Sequence, residues 1–253
     1  MDVMDKRREE IVKLTNEEGS ISFAKLKEHF PQVSEMTLRT DLKKLDEQKR
    51  IVRVHGGAKS VQVVIGTDDL LGRRNVRNKE AKEQIAQKAL SLIKPNTTIF
   101  LDSGSTTTAL AKLFPDQPNI IFTTGLSCAG ELCHLEKPEV RIPGGKLNRY
   151  SMSVCGYSGI SELESVNIDV AFIGVTCYSR ETGFTCGVAE EAELKRMVMR
   201  RAEKNVILMD SSKIGTRSTF TFCDLKDVDI IVSDDNVTGE MKERIANAGI
   251  KLL

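Results

Sequence analysis

The order of apolar and polar residues over positions 34–47 predicts an amphipathic helix. Leu38, Leu42 and Leu45 recur at intervals of four and three residues, which places them on one face. Ser34 precedes this stripe and can cap the first turn, because its hydroxyl can accept a hydrogen bond from an otherwise unpaired amide. Glu35 lies in the first turn, where the helix dipole favours negative charge. This helix is central to the interpretation of the first sixty residues.

Two further helices are predicted before it and a hairpin after it. Residues 4–18 form the first helix, and a second begins after Ser22 and stops at Pro31. After the third helix, the β-branched residues of 51–54 favour a strand, and His55-Gly56-Gly57 forms a turn. Three helices closed by a two-stranded wing within about 60 residues are typical of a winged helix-turn-helix domain.

The face of the third helix opposite the leucines is polar or cationic, and the wing adds further basic groups. Cations on these two elements can contact DNA phosphates while the helix lies in the groove. A small helical domain that binds another protein remains the alternative at this stage, because amphipathic helices suit both. The candidate DNA-binding residues are Ser34, Met36, Thr37, Arg39, Thr40, Lys43, Arg53, His55 and Gly56.

From residue 79 onward short apolar runs alternate with helical segments. Such alternation predicts a mostly parallel β-sheet covered by helices on both faces. The predicted strands are 98–101, 120–123, 140–142, 170–173, 206–209 and 229–232. The predicted helices are 79–93, one that starts near 106, 126–135, 190–203 and 238–248. We therefore divide the chain into a DNA-binding domain over 1–58, a linker over 59–78 with a strand-like patch at 61–65, and an effector-sensing domain over 79–253.

Polar clusters follow several of the predicted strands, and ligands of open α/β sheets bind beyond the carboxyl ends of strands. The clusters combine glycines, which permit close approach, with hydroxyl groups, and the last one adds a lysine that can neutralise an anion. The predicted ligand is small, hydroxylated and anionic, such as a sugar phosphate. The candidate effector-binding residues are Asp102, Ser103, Gly104, Ser105, Thr106, Thr107, Thr124, Gly144, Gly145, Asp210 and Lys213.

Each cluster taken alone is compatible with an ordinary turn, and catalysis is a second alternative. Carboxylates for acid–base chemistry are available at Asp169, Glu190, Glu191 and Asp210, but no nucleophile with its base is recognisable. The stretch 190–196 is interpreted as an exposed helical turn. Lys195 could contact an anion, but it is interpreted as a surface lysine. We expect no catalytic residue, and the alternative is a sugar-phosphate-metabolising enzyme with a regulatory N-terminal domain.

Composition narrows these possibilities only slightly. A net charge of +1 over 253 residues gives no global signal for nucleic acid, so a DNA-binding surface has to be local. The charged N-terminus and the lack of a long apolar run predict no signal peptide and no membrane partner, hence a cytoplasmic protein. The six dispersed cysteines predict reduced thiols and no metal site, and no cofactor is expected.

Several motifs together resemble the DeoR family of bacterial transcriptional repressors. The first half carries SEMTLRTDL (34–42) and RVHGGA (53–58); the second carries DSGSTT (102–107), GG (144–145), DVAFIG (169–174) and DSSK (210–213). Thr40 stands where the family commonly has a second Arg, and Lys49-Arg50 replaces the usual Gly before the wing. The resemblance implies a sensor domain similar in fold to ribose-5-phosphate isomerase and the CoA transferases. It also implies double-stranded operator DNA and a phosphorylated sugar as partners, with assembly into a homodimer or homotetramer.

Overall fold

The chain forms two compact units, Met1–Asp68 and Asp69–Leu253, in a computed structural model. The structure describes residues 3–18, 20–48, 50–54, 56–60 and 71–253. The first unit contains the helices α1 (Val3–Glu18), α2 (Phe23–His29) and α3 (Glu35–Glu47). Its strands are β1 (Ser20–Ser22), β2 (Ile51–Val54) and β3 (Gly57–Ser60), paired antiparallel in the order β1-β3-β2. The three helices and the two wing strands are confirmed.

Strand β1 is an element that the sequence pattern did not predict. It is only three residues long, and it exists because Ile21 lies opposite Ala58 of β3. The two strands approach so closely at Gly57 that a Cβ atom there would lie 2.2 Å from the Ile21 carbonyl oxygen. A contact between residues 36 positions apart leaves no local periodicity, so the strand becomes visible only in three dimensions.

The core of the first unit uses the predicted leucine stripe. Leu38, Leu42 and Leu45 are buried together with Ile11 and Leu26, which confirms the inward face of α3. Asp41 is buried on that same face. Its two carboxylate oxygens accept hydrogen bonds from the Nε atoms of Arg7 and Arg8, each at 2.7 Å, so that an ion-pair cluster joins α1 to α3.

The second unit is built on a seven-stranded, fully parallel sheet. The mostly parallel sheet and six of its strands were predicted, whereas the strand Lys251–Leu252 was not. Its order is β15-β14-β12-β9-β4-β5-β6, from the strands β4 (Thr98–Leu101), β5 (Ile120–Thr123), β6 (Glu139–Arg141), β9 (Val170–Gly174), β12 (Asn205–Leu208), β14 (Ile230–Val232) and β15 (Lys251–Leu252). Alternate residues of β4 enter different cores, with Ile99 and Leu101 on one face and Phe100 on the other. Both faces of the sheet are therefore covered.

Among the described residues of this unit, seven α-helices accompany the sheet. They are α4 (Leu71–Val76), α5 (Lys79–Ala89), α6 (Ser105–Lys112), α7 (Leu126–Leu132), α8 (Tyr157–Leu163), α9 (Ala189–Arg201) and α10 (Gly239–Asn247). Residues Ile85, Leu110 and Cys128 of α5, α6 and α7 enter one core, whereas Leu163, Val198 and Ile245 of α8, α9 and α10 enter the other. Within the described ranges, no helix has both the length and the apolar character needed to cross a membrane.

Two smaller sheets were not predicted. One is the antiparallel hairpin of β7 (Lys146–Asn148) and β8 (Ser153–Cys155); the other joins β10 (Cys177–Ser179), β11 (Gly183–Cys186) and β13 (Phe220–Cys223). The region predicted as linker also differs from the expectation. Residues 59–60 belong to β3 and residues 71–76 form α4, whereas 61–70, including the strand-like patch at 61–65, lie outside the described residues.

Candidate DNA-binding face and ligand-binding edge

The N-terminus of α3 is ordered by its own polar side chains. The Ser34 hydroxyl accepts a hydrogen bond from the Thr37 amide at 3.1 Å and lies 2.8 Å from the Thr37 hydroxyl. The Thr40 hydroxyl donates to the Met36 carbonyl oxygen at 2.9 Å. Ser34 thus acts as the predicted N-cap of α3.

The outward face of α3 presents Met36, which is 74% exposed, with the exposed side chains of Arg39 and Lys43. Arg39 lies over the Phe23 ring, 4.7 Å from its centroid, and its guanidinium is 3.8 Å from the Glu35 carboxylate. Exposed ion pairs of this kind contribute little free energy, so a DNA phosphate can replace the carboxylate at low cost. The face is suitable for contact with a polyanion.

The wing holds two of the remaining candidates. Arg53 is exposed, and its backbone amide donates to the Asp46 carboxylate at 2.9 Å, which joins β2 to the end of α3. Gly56 has a φ of +83°, a conformation that favours glycine, and its carbonyl oxygen accepts from the Phe23 amide at 2.7 Å. His55 lies outside the described residues.

Asp102, the first residue of the predicted ligand loop, is buried in an ion pair. Its Oδ2 accepts hydrogen bonds from Lys195 Nζ at 2.5 Å and from the Gly174 amide at 2.9 Å, and Lys195 Nζ also donates to the Gly174 carbonyl oxygen at 2.7 Å. Lys195 is only 4% exposed, so the expectation of a surface lysine was wrong. Burial by itself lowers the pKa of Lys195, but the Asp102 carboxylate outweighs it, so that the pKa is raised.

The expectation that 190–196 forms an exposed turn was also wrong, because most of this first part of α9 is buried. Glu191 is 6% exposed, and its Oε1 accepts hydrogen bonds from the hydroxyl groups of Ser151 at 2.8 Å and Ser153 at 2.7 Å. Helical spacing in the sequence could have indicated that Glu191 and Lys195 are buried. Glu191, Lys195 and Val198 fall at i, i+4 and i+7, on the buried side of α9.

The loop between β4 and α6 brings several predicted ligand residues together at the carboxyl edge of the sheet. Ser103, Gly104 and Ser105 are partly exposed, whereas Thr106 and Thr107 are buried. The Gly104 carbonyl oxygen accepts from the Thr107 hydroxyl at 3.0 Å, so this hydroxyl already has a local partner. Thr124, which follows β5, has a buried hydroxyl group without a hydrogen-bond partner among the described residues.

The two glycines at 144–145 allow chain segments to approach one another. A Cβ atom on Gly145 would lie 2.7 Å from the Cys155 carbonyl oxygen, and one on Gly144 would lie 3.3 Å from the Ser158 hydroxyl. Both glycines therefore have a packing reason at the base of the β7–β8 hairpin, independent of any ligand.

Asp210 and Lys213 lie on the short 3₁₀ turn Ser211–Lys213 that follows β12. Asp210 Oδ1 accepts hydrogen bonds from the Ser212 amide and the Asn78 side chain, whereas its buried Oδ2 has no hydrogen bond in the described part of the chain. Lys213 is partly buried, and burial lowers its pKa, with Arg74 adding to the effect and Asp210 opposing it.

Lys82 is a candidate that the sequence analysis missed. It is 4% exposed and donates hydrogen bonds to the carbonyl oxygens of Arg74 and Arg77. Burial lowers the pKa of Lys82 to about 8. The nearby carboxylate of Asp210 opposes this shift, whereas the charge of Lys213 adds to it. Lys82 lines a cavity of about 300 Å³ together with Ser105 and Thr108. Lys82 therefore lines the same cavity as Ser105, at the start of α6, and also interacts electrostatically with Asp210.

A second and larger cavity, of about 410 Å³, lies beside the β7–β8 hairpin. Its lining includes Lys146, Arg149, Tyr150, Ser153 and Glu191. No group of three or more His, Cys, Asp or Glu side chains arranged to hold a metal ion occurs among the residues that the structure describes. The polar groups of both cavities suit a hydroxylated, anionic molecule better than a purely apolar one.

Comparisons with known proteins agree with this architecture. Residues 7–64 match the DeoR-like helix-turn-helix domain, and residues 77–235 match the DeoR C terminal sensor domain. The HTH-type transcriptional regulator GlpR of Haloferax volcanii is 31% identical over 98% of this chain and 96% of its own length. The putative aga operon transcriptional repressor of Escherichia coli O157:H7 is 30% identical over 98% of this chain and 92% of its own length.

Among solved structures, a ribose 5-phosphate isomerase from Methanocaldococcus jannaschii matches 54% of this chain and 55% of its own at 19% identity, with a TM-score of 0.40. That likeness is too low to bear on function. The two family matches together extend over most of the chain, in the order of its two units. The chain therefore belongs to the DeoR family of helix-turn-helix transcriptional regulators.

Proposed function

We propose that this regulator is a repressor of a carbohydrate-utilisation operon, which a phosphorylated sugar or related metabolite releases from its operator. The observation that carries the proposal is the combination in one chain of an exposed cationic helix face and a DeoR-type sensor whose cavities contain charged and hydroxyl side chains. One relative is named as a putative repressor of the aga operon. That name supports the sign of regulation and the link to an operon.

In this mechanism, α3 and the wing contact DNA through Ser34, Met36, Thr37, Arg39, Thr40, Lys43, Arg53, His55 and Gly56. Two such units in a homodimer or homotetramer occupy operator half-sites, whose spacing has to match the protein. A ligand bound at the sheet edge favours an arrangement with the wrong spacing. Coupling free energies of about 1–3 kcal/mol would weaken operator binding about 5–150-fold.

For the ligand we retain the predicted edge residues, which are Asp102 to Thr107, Thr124, Gly144, Gly145, Asp210 and Lys213, and we add Lys82. The Asp210 carboxylate opposes the lowering of the pKa of Lys82 and of Lys213, whereas the charges of Arg74 and Arg77 add to it at both lysines. A phosphate or carboxylate group would relieve the repulsion between these cations. The hydroxyl group of Thr124, which has no hydrogen-bond partner in the described ranges, offers a further contact.

We also propose that the sensor binds its ligand without converting it. The amine of Lys195 and the carboxylate of Asp102 are the groups best placed for acid–base work, but they are paired with each other and buried. Incubation with pentose and hexose phosphates should therefore give no product. Turnover at a rate dependent on Lys195 would favour the alternative, an isomerase-like enzyme with a regulatory N-terminal domain.

The experiment that tests repression is a mobility-shift titration of the full chain with genomic fragments, first alone and then with phosphorylated sugars. DNA affinity should fall steeply with salt, because phosphate contacts release counterions. The variant Lys213→Ala should bind the operator like the wild type but should no longer respond to the metabolite. Loss of both properties together would contradict the separation of DNA binding and sensing.

A further inference from the structure

Large apolar side chains are exposed together on one segment of the sensor unit. Among the described residues, eleven large apolar side chains are exposed, and five of them lie in the short stretch 142–157. These five are Ile142, Leu147, Tyr150, Met152 and Tyr157, and Tyr157 is the most accessible, at 86% exposed. Single exposed apolar residues are ordinary on a protein surface, but a concentration of them indicates a contact with another molecule.

The β7–β8 hairpin packs through one of its two faces. In its antiparallel register Leu147 lies opposite Val154. Because side chains alternate between the faces of a strand, Leu147 and Val154 share one face, whereas Ser153 and Cys155 share the other. Ser153 and Cys155 are buried, but Leu147 is exposed and Val154 is only half-buried. The hairpin therefore leaves its Leu147 face accessible.

The start of helix α8 extends this apolar surface beyond the open end of the hairpin. Tyr157 is the first residue of α8 and follows β8 after one intervening residue. The helix lies close to the segment before β7, since a Cβ atom on Gly159 would lie 2.5 Å from the Gly144 carbonyl oxygen. We call the exposed side of the hairpin and of the start of α8, with its five apolar side chains from Ile142 to Tyr157, the hairpin face.

Charges of opposite sign lie at the two ends of the hairpin face. Arg149 is in the turn that joins β7 to β8, whereas Glu162 of α8 lies near the open end, where its Oε2 accepts a hydrogen bond from the Gly144 amide at 3.4 Å. Both side chains are exposed, and neither forms an ion pair with another described residue. An apolar surface with a cation at one end and a carboxylate at the other is complementary to a second copy of itself in a two-fold symmetric pair.

We propose that two copies of this chain pair through the hairpin face in a two-fold symmetric contact. Leu147 and Tyr157 are buried at its centre, and Arg149 of each copy binds Glu162 of the other. An apolar centre with a polar rim is the usual arrangement of protein–protein interfaces. The assignment rests on the proposed function in one respect, because occupation of two operator half-sites requires at least two chains.

The hairpin face borders two other features of the sensor unit. Leu147, Arg149 and Tyr150 also line the 410 Å³ cavity. The carbonyl oxygen of Tyr150 accepts a hydrogen bond from the amide of Leu71, the first residue of α4, at 3.0 Å. Pairing through this face would therefore fix part of the cavity wall and the turn that holds the start of α4.

The test is sedimentation velocity of the full chain over a range of protein concentrations, with thermal unfolding to show that each variant folds. The wild type should sediment as a dimer or a larger assembly. Leu147→Glu and Tyr157→Glu should each weaken self-association about a hundredfold, because each places two uncompensated carboxylates in the contact. Leu113→Glu, a change at a similarly exposed leucine outside the hairpin face, should sediment like the wild type.

An exchange of charges tests whether the partner is a second copy of the same surface. Arg149→Glu and Glu162→Arg should each weaken self-association about tenfold, since each opposes like charges twice. The double variant Arg149→Glu/Glu162→Arg should recover the wild-type association, and the two single variants should associate with each other when mixed. Lys204→Glu, the same kind of change at an exposed cation elsewhere, should have no effect.

A monomeric wild type would overturn the assignment, because the hairpin face would then be covered by another part of the chain or by a different protein. Association that Leu147→Glu and Tyr157→Glu leave unchanged would also overturn it, as would a charge exchange that recovers nothing. The operator mobility shift separates these results from the proposed function. A protein that binds operator DNA but fails the association tests refutes the hairpin face alone, whereas failure to bind DNA refutes repression.

Discussion

The outer face of α3 and the carboxyl edge of the parallel sheet use charge in opposite ways. On α3, Arg39 and Lys43 are exposed, with only weak surface partners. At the sheet edge, Asp102, Glu191 and Lys195 are all less than 10% exposed. DNA is a large polyanion that needs cations accessible at the surface. A small metabolite is better recognised where water is excluded, since charges act more strongly there.

This difference has a consequence for how each region responds to substitution. An exposed cation contributes to binding with little effect on the free energy of unfolding. A buried charge contributes to both, since removal of its partner leaves it uncompensated. Substitution of a buried charge at the sensor edge should therefore lower the free energy of unfolding. Substitution of an exposed cation on the recognition face should change only the affinity for DNA.

The largest effect is expected for Lys195→Met. It leaves the Asp102 carboxylate buried without its cation, which should lower the free energy of unfolding of the sensor unit by about 5 kcal/mol. Native-state hydrogen exchange of the β4 amides measures this locally. The double variant Asp102→Leu/Lys195→Met should recover much of this lost stability. Lys112→Met, a change at an exposed lysine, should hardly alter the free energy of unfolding. If the β4 amides of Lys195→Met are protected as well as those of the wild type, the buried ion pair does not stabilise the sensor unit.

A somewhat smaller effect is expected for Asp41→Asn in the first unit, which shows that buried charge is not confined to the sensor. Arg7 and Arg8 would lose their shared carboxylate, although both keep some access to water. We expect a loss of about 3 kcal/mol, measured by hydrogen exchange in α3. Glu47→Gln, an exposed change on the same helix, is the control. A loss seen equally in both variants would mean that the ion-pair cluster does not stabilise the unit.

The same contrast explains what could be predicted from the sequence. The three helices, the wing and the parallel strands have local periodicity, and β4 and β5 were located with their bounds, Thr98–Leu101 and Ile120–Thr123. The buried partners were not found, because Asp102 and Lys195 lie 93 positions apart and Ser153 and Glu191 lie 38 apart. Hydrophobic patterning treats charged residues as surface, and this rule fails where a charge is neutralised in three dimensions.

A moderate effect, on affinity alone, is expected for Arg39→Gln. Loss of a cation on the recognition face should weaken operator binding about tenfold, whereas the melting temperature should hardly change. The mobility shift should be measured over a range of salt concentrations, because a lost phosphate contact also lowers the salt dependence. Lys13→Gln, on the exposed side of α1, is the matched control. Unchanged affinity would show that α3 does not use this face for DNA.

The smallest effect concerns the cavity beside Ser105 and Thr108, where a buried cation titrates near neutral pH. Burial lowers the pKa of Lys82 to about 8, with Lys213, Arg74 and Arg77 adding to the effect and Asp210 opposing it. The cavity also contains Lys79, Glu83 and Lys112. Lys82 is charged below that pKa and neutral above it, so an anion should bind more weakly as the pH rises.

Sulfate is a suitable probe, because its charge does not change over this range. Its affinity should fall about fivefold between pH 7 and pH 9, the equivalent of about 1 kcal/mol of lost attraction. In Lys82→Met the affinity should already be low at pH 7 and should change less with pH. Any slope that remains is assigned to Lys213, whose pKa is also lowered by burial. A wild-type affinity that is constant from pH 7 to pH 9 would exclude Lys82 from the anion site, and the sensor edge would then use its buried charges for structure alone.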